Sequence, residues 1–194
     1  MPEPLRPAAA RLYLEAFGAK LGPILGRGAR AERFLEGVLR PGNALVALSE
    51  EGALLGLAGF HDEGGGFVGG GAAELRAAYG GFGALWRGAA LALFERSPGP
   101  GELLMDGIVV APGARGGGVG GALIEAMAAR AARLGLSAVR LDVVDSNPRA
   151  RALYARRGFA AGEETGSPLL RPLFGFSRSL AMRRPVSPPP PDRV

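Results

Sequence analysis

The stretch that most limits how this chain can fold covers residues 103–121, LLMDGIVVAPGARGGGVGG. Its first part reads as a strand, continuously apolar over 108–111. Pro112 and Gly113 turn the chain and Arg115 follows. A glycine run then opens a helix on which Gly120, Leu123, Ile124, Met127, Ala131 and Leu134 share one face, with Gly135 as its C-cap. A glycine turn between strand and helix leaves bare main-chain N–H groups converging where the helix collects partial positive charge. Arg115 adds a planar fork of donors that keeps its charge at any ordinary pH. The stretch therefore predicts a site for a ligand carrying a pyrophosphate.

The 194 residues, 47% hydrophobic and 21% charged, suit one globular domain. We place it at 1–184, followed by a proline-rich tail at 185–194 that has no means of forming a core and reads as disordered. With no cysteine, disulfides, thiolate metal sites and a thiol nucleophile are excluded. The single histidine, His61, argues against a histidine-built metal centre or a hydrolytic triad, so no metal is expected. There is no uncharged apolar run of membrane-spanning length, and the N-terminus has acids and prolines where a signal peptide needs an apolar block. A cytoplasmic, membrane-free protein is the expectation. The net charge of +5 is almost entirely arginine, Lys20 being the sole lysine. It is spread through a chain rich in Ala, Gly and Pro and forms no patch, which speaks against nucleic acid as a partner.

Around the central stretch, periodicity predicts helices at 6–17 and about 29–39, with Gly22 and Pro23 interrupting between them. Strands are predicted at 44–48 and 54–61 as a hairpin, and the glycine-rich segment 64–71 is left unassigned. Residues 72–96 read as a helix kinked at Gly80 and Gly81. Its stripe of Leu75, Tyr79, Phe82, Trp86, Ala89 and Leu93 is expected to pack in the core or an interface. A strand at 138–144, a helix starting at Asn147 and Pro148 and ending at Gly158, and strands near 159–163 and 173–182 complete the chain.

Two motifs lie on this frame. Arg115, Gly116, Gly117, Gly118, Val119 and Gly120 fit the pattern (Q/R)-x-x-G-x-(G/A). The run NPRARALYARRGF at 147–159 fits N-x-x-A-x-x-x-Y-x-x-x-G-F. With the strand GIVVAP before them, residues 103–159 resemble the GNAT superfamily of N-acetyltransferases. The resemblance implies an α/β fold with a mixed, largely antiparallel central sheet flanked by helices, its splayed strands holding the coenzyme. It implies acetyl-CoA as cosubstrate and acetyl transfer to an amine, whether of a small molecule, a peptide N-terminus or a lysine. Ile108, Val109 and Val110 would offer backbone groups to the pantetheine arm. Arg115 and the amides of Gly116, Gly117, Gly118, Val119, Gly120 and Gly121 would hold the pyrophosphate. Asn147 would reach the pantetheine region, cap its helix, or do both. Tyr154 would give a proton to the departing thiolate.

The general base is less defined. The position that aligns with the family's carboxylate is Gly107, which has no side chain. Asp106 is adjacent, although regular strand alternation turns it to the other face; Glu102 and His61 are further candidates. The helix at 72–96 is an addition to the usual pattern, serving either to cover the acceptor site or to make a homodimer contact. Two rival readings remain. Gly116, Gly118 and Gly121 with Asp142 also satisfy a dinucleotide fingerprint, although residues 112–115 intervene after the strand. The third class is a non-catalytic module, binding CoA alone or binding RNA through Arg149, Arg151, Arg156 and Arg157, which have no interleaved aromatic platform.

Overall fold

A computed structural model describes residues 1–62, 64–167 and 171–187. Its strands are β1 (Ala44–Leu48), β2 (Leu54–His61), β3 (Glu102–Val110), β4 (Ala138–Val144), β5 (Ala160–Gly166) and β6 (Arg178–Pro185), and they form one sheet in the order β1-β2-β3-β4-β6-β5. Only β3 and β4 run parallel; every other neighbouring pair is antiparallel. This is the mixed, largely antiparallel sheet the motifs implied. It is not the mostly parallel, doubly wound sheet that a dinucleotide fingerprint opens.

Two apolar layers lie on the sheet. On one face, helices α1 (Arg6–Ala16), α2 (Gly18–Leu25), α3 (Ala29–Val38) and α4 (Ala72–Ala92) enclose Leu35, Leu57, Phe67 and Val109. On the other, α5 (Val119–Arg133) and α6 (Pro148–Arg156) bury Leu123, Ile124 and Met127 against Leu103, Met105, Val139 and Leu141. β4 follows the alternation its sequence shows, with Val139, Leu141 and Val143 buried and Arg140 and Asp142 half-buried on the opposite side. None of the described helices is long and apolar enough to cross a membrane.

Three local expectations are corrected. Residues 18–25 form a helix despite Gly22 and Pro23, because Ile24 and Leu25 are buried in the first apolar layer. Burying two such side chains stabilises by roughly 3–6 kcal/mol, enough to offset the ~3 kcal/mol that an interior proline costs. In α4 the kink is real, since Gly80 adopts φ 73° and ψ 174°, and only the first part of the stripe, Leu75 and Tyr79, packs in the core. Leu75 is buried and Tyr79 donates to the Leu25 carbonyl, whereas Phe82 is 83% exposed and Leu93 58%. The break at Gly80 rotates the second half of the helix out of register with the first. At the C-terminal end a short helix, α7 (Arg171–Phe174), occupies part of the segment expected as a strand, and β6 starts only at Arg178. β6 runs to Pro185; the tail expectation for 188–194 lies outside the described residues.

One irregularity positions the site. Along β2 and β3, Gly59 opposes Gly107 but Phe60 opposes Met105, so Asp106 is an extra residue without a partner. Such a bulge bends and twists its strand. The parallel pairing of β3 with β4 stops at the same place, at Met105 and Leu141, although β3 continues to Val110. From Asp106 onward the edge of β3 facing β4 is open.

Candidate functional site

The open edge of β3 leads directly into the glycine turn. Ala111 donates its N–H to the Leu55 carbonyl, and Val109 opposes Leu57. Antiparallel alternation then sends the backbone groups of Val109 toward β2 and those of Ile108 and Val110 toward the gap. Of the three strand residues expected there, Ile108 and Val110 are therefore the ones that present main-chain donors and acceptors. The Val110 carbonyl already accepts from Arg115 Nε at 3.2 Å, which pins that side chain over the turn.

Gly116 (φ 84°) and Gly118 (φ 81°) take left-handed conformations that L side chains resist, with no atom within 4 Å of where a Cβ would stand. Gly118 is the N-cap of α5 and has no side chain to cap it. Among the described residues, the amides of Gly116, Gly118, Val119, Gly120 and Gly121 have no hydrogen-bond acceptor, while that of Gly117 points to the Ala114 carbonyl at 3.4 Å. Five unclaimed N–H groups at one helix start, beside an exposed arginine, form a nest for an anion. A pyrophosphate fits the donor set, and the bare Cβ positions leave it room.

Asn147 caps α6: its Oδ1 accepts from the Ala150 N–H at 3.1 Å. Its amide nitrogen has no partner among the described residues, so capping leaves two donors available. Tyr154, two turns further on, is buried in the layer beneath α5, with its ring 5.7 Å from that of Phe159. Burial pushes its phenol up to about 12, so it is protonated across the neutral range. Neighbouring Leu153 lies against Gly120, where a Cβ would approach its Cδ2 at 3.6 Å, so α6 packs directly on the start of α5.

On the opposite face of the sheet a large open cleft, about 1620 Å³, is lined by α4, the 64–71 segment and the β3 bulge. α4 thus walls the cleft, through Leu75, Ala84 and Gly88 among others. Here the bulge changes the expectation for Asp106. Because of the extra residue, Asp106 and Gly107 both face the first apolar layer. Gly107 looks at Phe17, where a Cβ would come within 2.6 Å of the ring, and Asp106 accepts the Phe67 N–H at 3.1 Å. Asp106 Oδ1 also meets His61 Nε2 at 2.6 Å, with the two side chains 17% and 21% exposed. His61 is drawn above its ordinary 6.5, first by this hydrogen bond and then by the charges of Asp106, Asp62 and Glu95, with burial acting against them. His61 was the weaker sequence candidate, and only its contact with Asp106 brings it forward. Glu102 is elsewhere: it lies at the far end of β3 and pairs with Arg183 at 2.6 Å.

A model of the acetyltransferase (GNAT) family matches residues 7–159. Among solved structures the chain is similar to a GCN5-related N-acetyltransferase from Kribbella flavida, at 21% identity and TM-score 0.64, over 96% of this chain and 95% of that one. It is similar to a ribosomal-protein-alanine N-acetyltransferase from Brucella melitensis, at 20% identity and TM-score 0.61, over 96% and 97% of the two chains. A GNAT superfamily phosphinothricin acetyltransferase from Sinorhizobium meliloti, solved in complex with AcCoA, matches at 21% identity and TM-score 0.60, over 100% and 92%. No curated protein matches the sequence.

Proposed function

The chain belongs to the acetyltransferase (GNAT) family, and we propose that it transfers the acetyl group of acetyl-CoA to an amine held in the cleft beside His61 and Asp106. The observation that carries this reading is the continuity of the open β3 edge with the five unclaimed amides of the glycine turn. Bound there, acetyl-CoA supplies an acyl group activated as a thioester. Arg115 and the amides of Gly116, Gly118, Val119, Gly120 and Gly121 hold its pyrophosphate; Ile108, Val110 and the free amide of Asn147 orient its pantetheine arm.

The proton bookkeeping falls to three side chains. With Nε2 of His61 donating to Asp106, the lone pair of Nδ1 is the base that takes a proton from the acceptor ammonium or from the attacking amine. Asp106 then stabilises the resulting imidazolium. Tyr154, protonated at neutral pH, donates its hydroxyl proton to the sulfur as the carbon–sulfur bond breaks and the carbon–nitrogen bond forms. The test is release of free thiol from acetyl-CoA across a broad amine library. Amine-dependent release with matching acetylated product is expected. Tight coenzyme binding with no amine-dependent release from any library member would refute transfer.

A further inference from the structure

We infer that the acceptor carries an anionic group as well as its amine, and that Lys20 is the residue that reads it. This rests on the acetyl-transfer reading of the same cleft. Lys20 is the sole lysine of a chain that otherwise uses arginine throughout. It projects from α2 into the cleft that contains His61 and Asp106, with Nζ 4.4 Å above the centre of the Phe94 ring. Among the described residues it makes no hydrogen bond and no ion pair. A half-buried ammonium held only by an aromatic face keeps its three donors free for an anion that enters the cleft.

The two carboxylates whose charge reaches Lys20 are already engaged. Asp106 is bound by His61 and the Phe67 N–H. Asp142, on β4 at the same cleft, sits 3.4 Å from Arg140 and 3.7 Å from Arg96. Burial first and then the Arg96 charge pull Lys20 below its ordinary value, with Asp106 and Asp142 acting in the opposite sense, so a further anion beside Nζ would favour its charged form. An ammonium is a point charge with rotatable donors, suited to a carboxylate or a phosphonate alike. With the amine at His61 and the anion at Lys20 in one cleft, the acceptor is an amine that also carries a carboxylate or a phosphonate.

The experiment uses the full chain with acetyl-CoA and three matched sets of acceptors: α-amino acids, aminoalkylphosphonates and the neutral amino-acid carboxamides. Thiol release is expected to favour one of the anionic sets over the carboxamides by roughly ten- to hundredfold in kcat/KM, the range of one charge-assisted hydrogen bond. The two anionic sets tell carboxylate from phosphonate. Lys20→Gln should collapse that ratio mainly through KM, and Lys20→Arg should restore part of it. Equal or better use of the carboxamides, or a ratio unmoved by Lys20→Gln, would overturn the inference. If no acceptor turns over, the transfer reading fails by itself. Calorimetric titration of N-acetyl amino acids and their amides into the CoA-loaded protein then decides the role of Lys20. Selective binding of the acids that is lost in Lys20→Gln supports it, and indifference refutes it. Melting curves check that each variant folds; Lys20→Met replaces Lys20→Gln if that variant does not.

Discussion

Replacing Asp106 with asparagine keeps the size of the side chain and one oxygen to accept the Phe67 N–H, and replaces the charged acceptor facing His61 with a neutral amide nitrogen. His61 is raised chiefly by the hydrogen bond to Asp106, with burial opposing and Asp62 and Glu95 adding smaller contributions. Without the carboxylate, burial is opposed by those two distant acids alone, so the imidazole should fall toward or below 6.5. The pair is partly solvated, so its coupling belongs with screened pairs, on the order of 1 kcal/mol, and not with fully buried ones. Because His61 is the only histidine, NMR titration of a tag-free sample follows its imidazole signal without assignment. The sign for stability follows from the raised folded value. The pair's contribution is fully present below 6.5 and is lost as pH rises through the folded His61 value, so wild type should outlast the variant most below pH 6.5. Turnover behaves oppositely: it should rise as Nδ1 deprotonates, and the variant's plateau should drop by about a hundredfold, the low end of what positioned proton transfer contributes. An unchanged imidazole titration would mean the 2.6 Å contact does not persist in solution. A shifted titration with unchanged turnover would remove the pair from the chemistry.

Gly118→Val should cost the free protein only about 1–2 kcal/mol of left-handed strain, a few degrees in a melting curve, because nothing lies within 4 Å of the new Cβ. Coenzyme affinity measured by calorimetry should fall by more than tenfold, and an unchanged affinity would place the pyrophosphate elsewhere. Tyr154→Phe should lower turnover while coenzyme affinity is retained; parallel loss of both would make Tyr154 a packing residue. Adding Gly107→Glu to Asp106→Asn should restore no activity in the thiol-release assay, because the new Cβ meets the Phe17 ring at 2.6 Å. Recovery of turnover there would show that the ring yields.

The glycine turn was legible because left-handed backbone at Gly116 and Gly118 demands glycine, so the sequence carries the geometry directly. β4, α5 and α6 were legible for a related reason: their burial follows the period of the backbone, and Asn147 and Pro148 mark a helix start. Helix α2 was hidden because its tertiary burial outweighs local signals, Gly22 and Pro23, that predict a break. The exposed Phe82 and Leu93 misled for the opposite reason, since a helical stripe gives the spacing of a face but not what covers it. The pairing of His61 with Asp106 joins two strands at a register slip, and no one-dimensional period reports a slip.

That slip also explains why the proposed base would draw on two residues. On an unbulged strand alternate positions would face the cleft, Leu104 and then Asp106 but not Gly107. The extra residue makes both Asp106 and Gly107 face it. The space at Gly107 is filled by Phe17, whose ring packs 4.5 Å from Tyr13, itself buried against Phe67. A side chain at 107 would have to displace that aromatic cluster, so the carboxylate is confined to 106. There it is tied down by the Phe67 N–H, which limits its own reach toward an acceptor. An imidazole from the neighbouring strand extends that reach, with the carboxylate orienting it and balancing its charge. The aromatic cluster that closes one position and the bulge that opens the next are parts of the same packing solution, and under the proposed reaction the histidine would make that solution compatible with proton transfer.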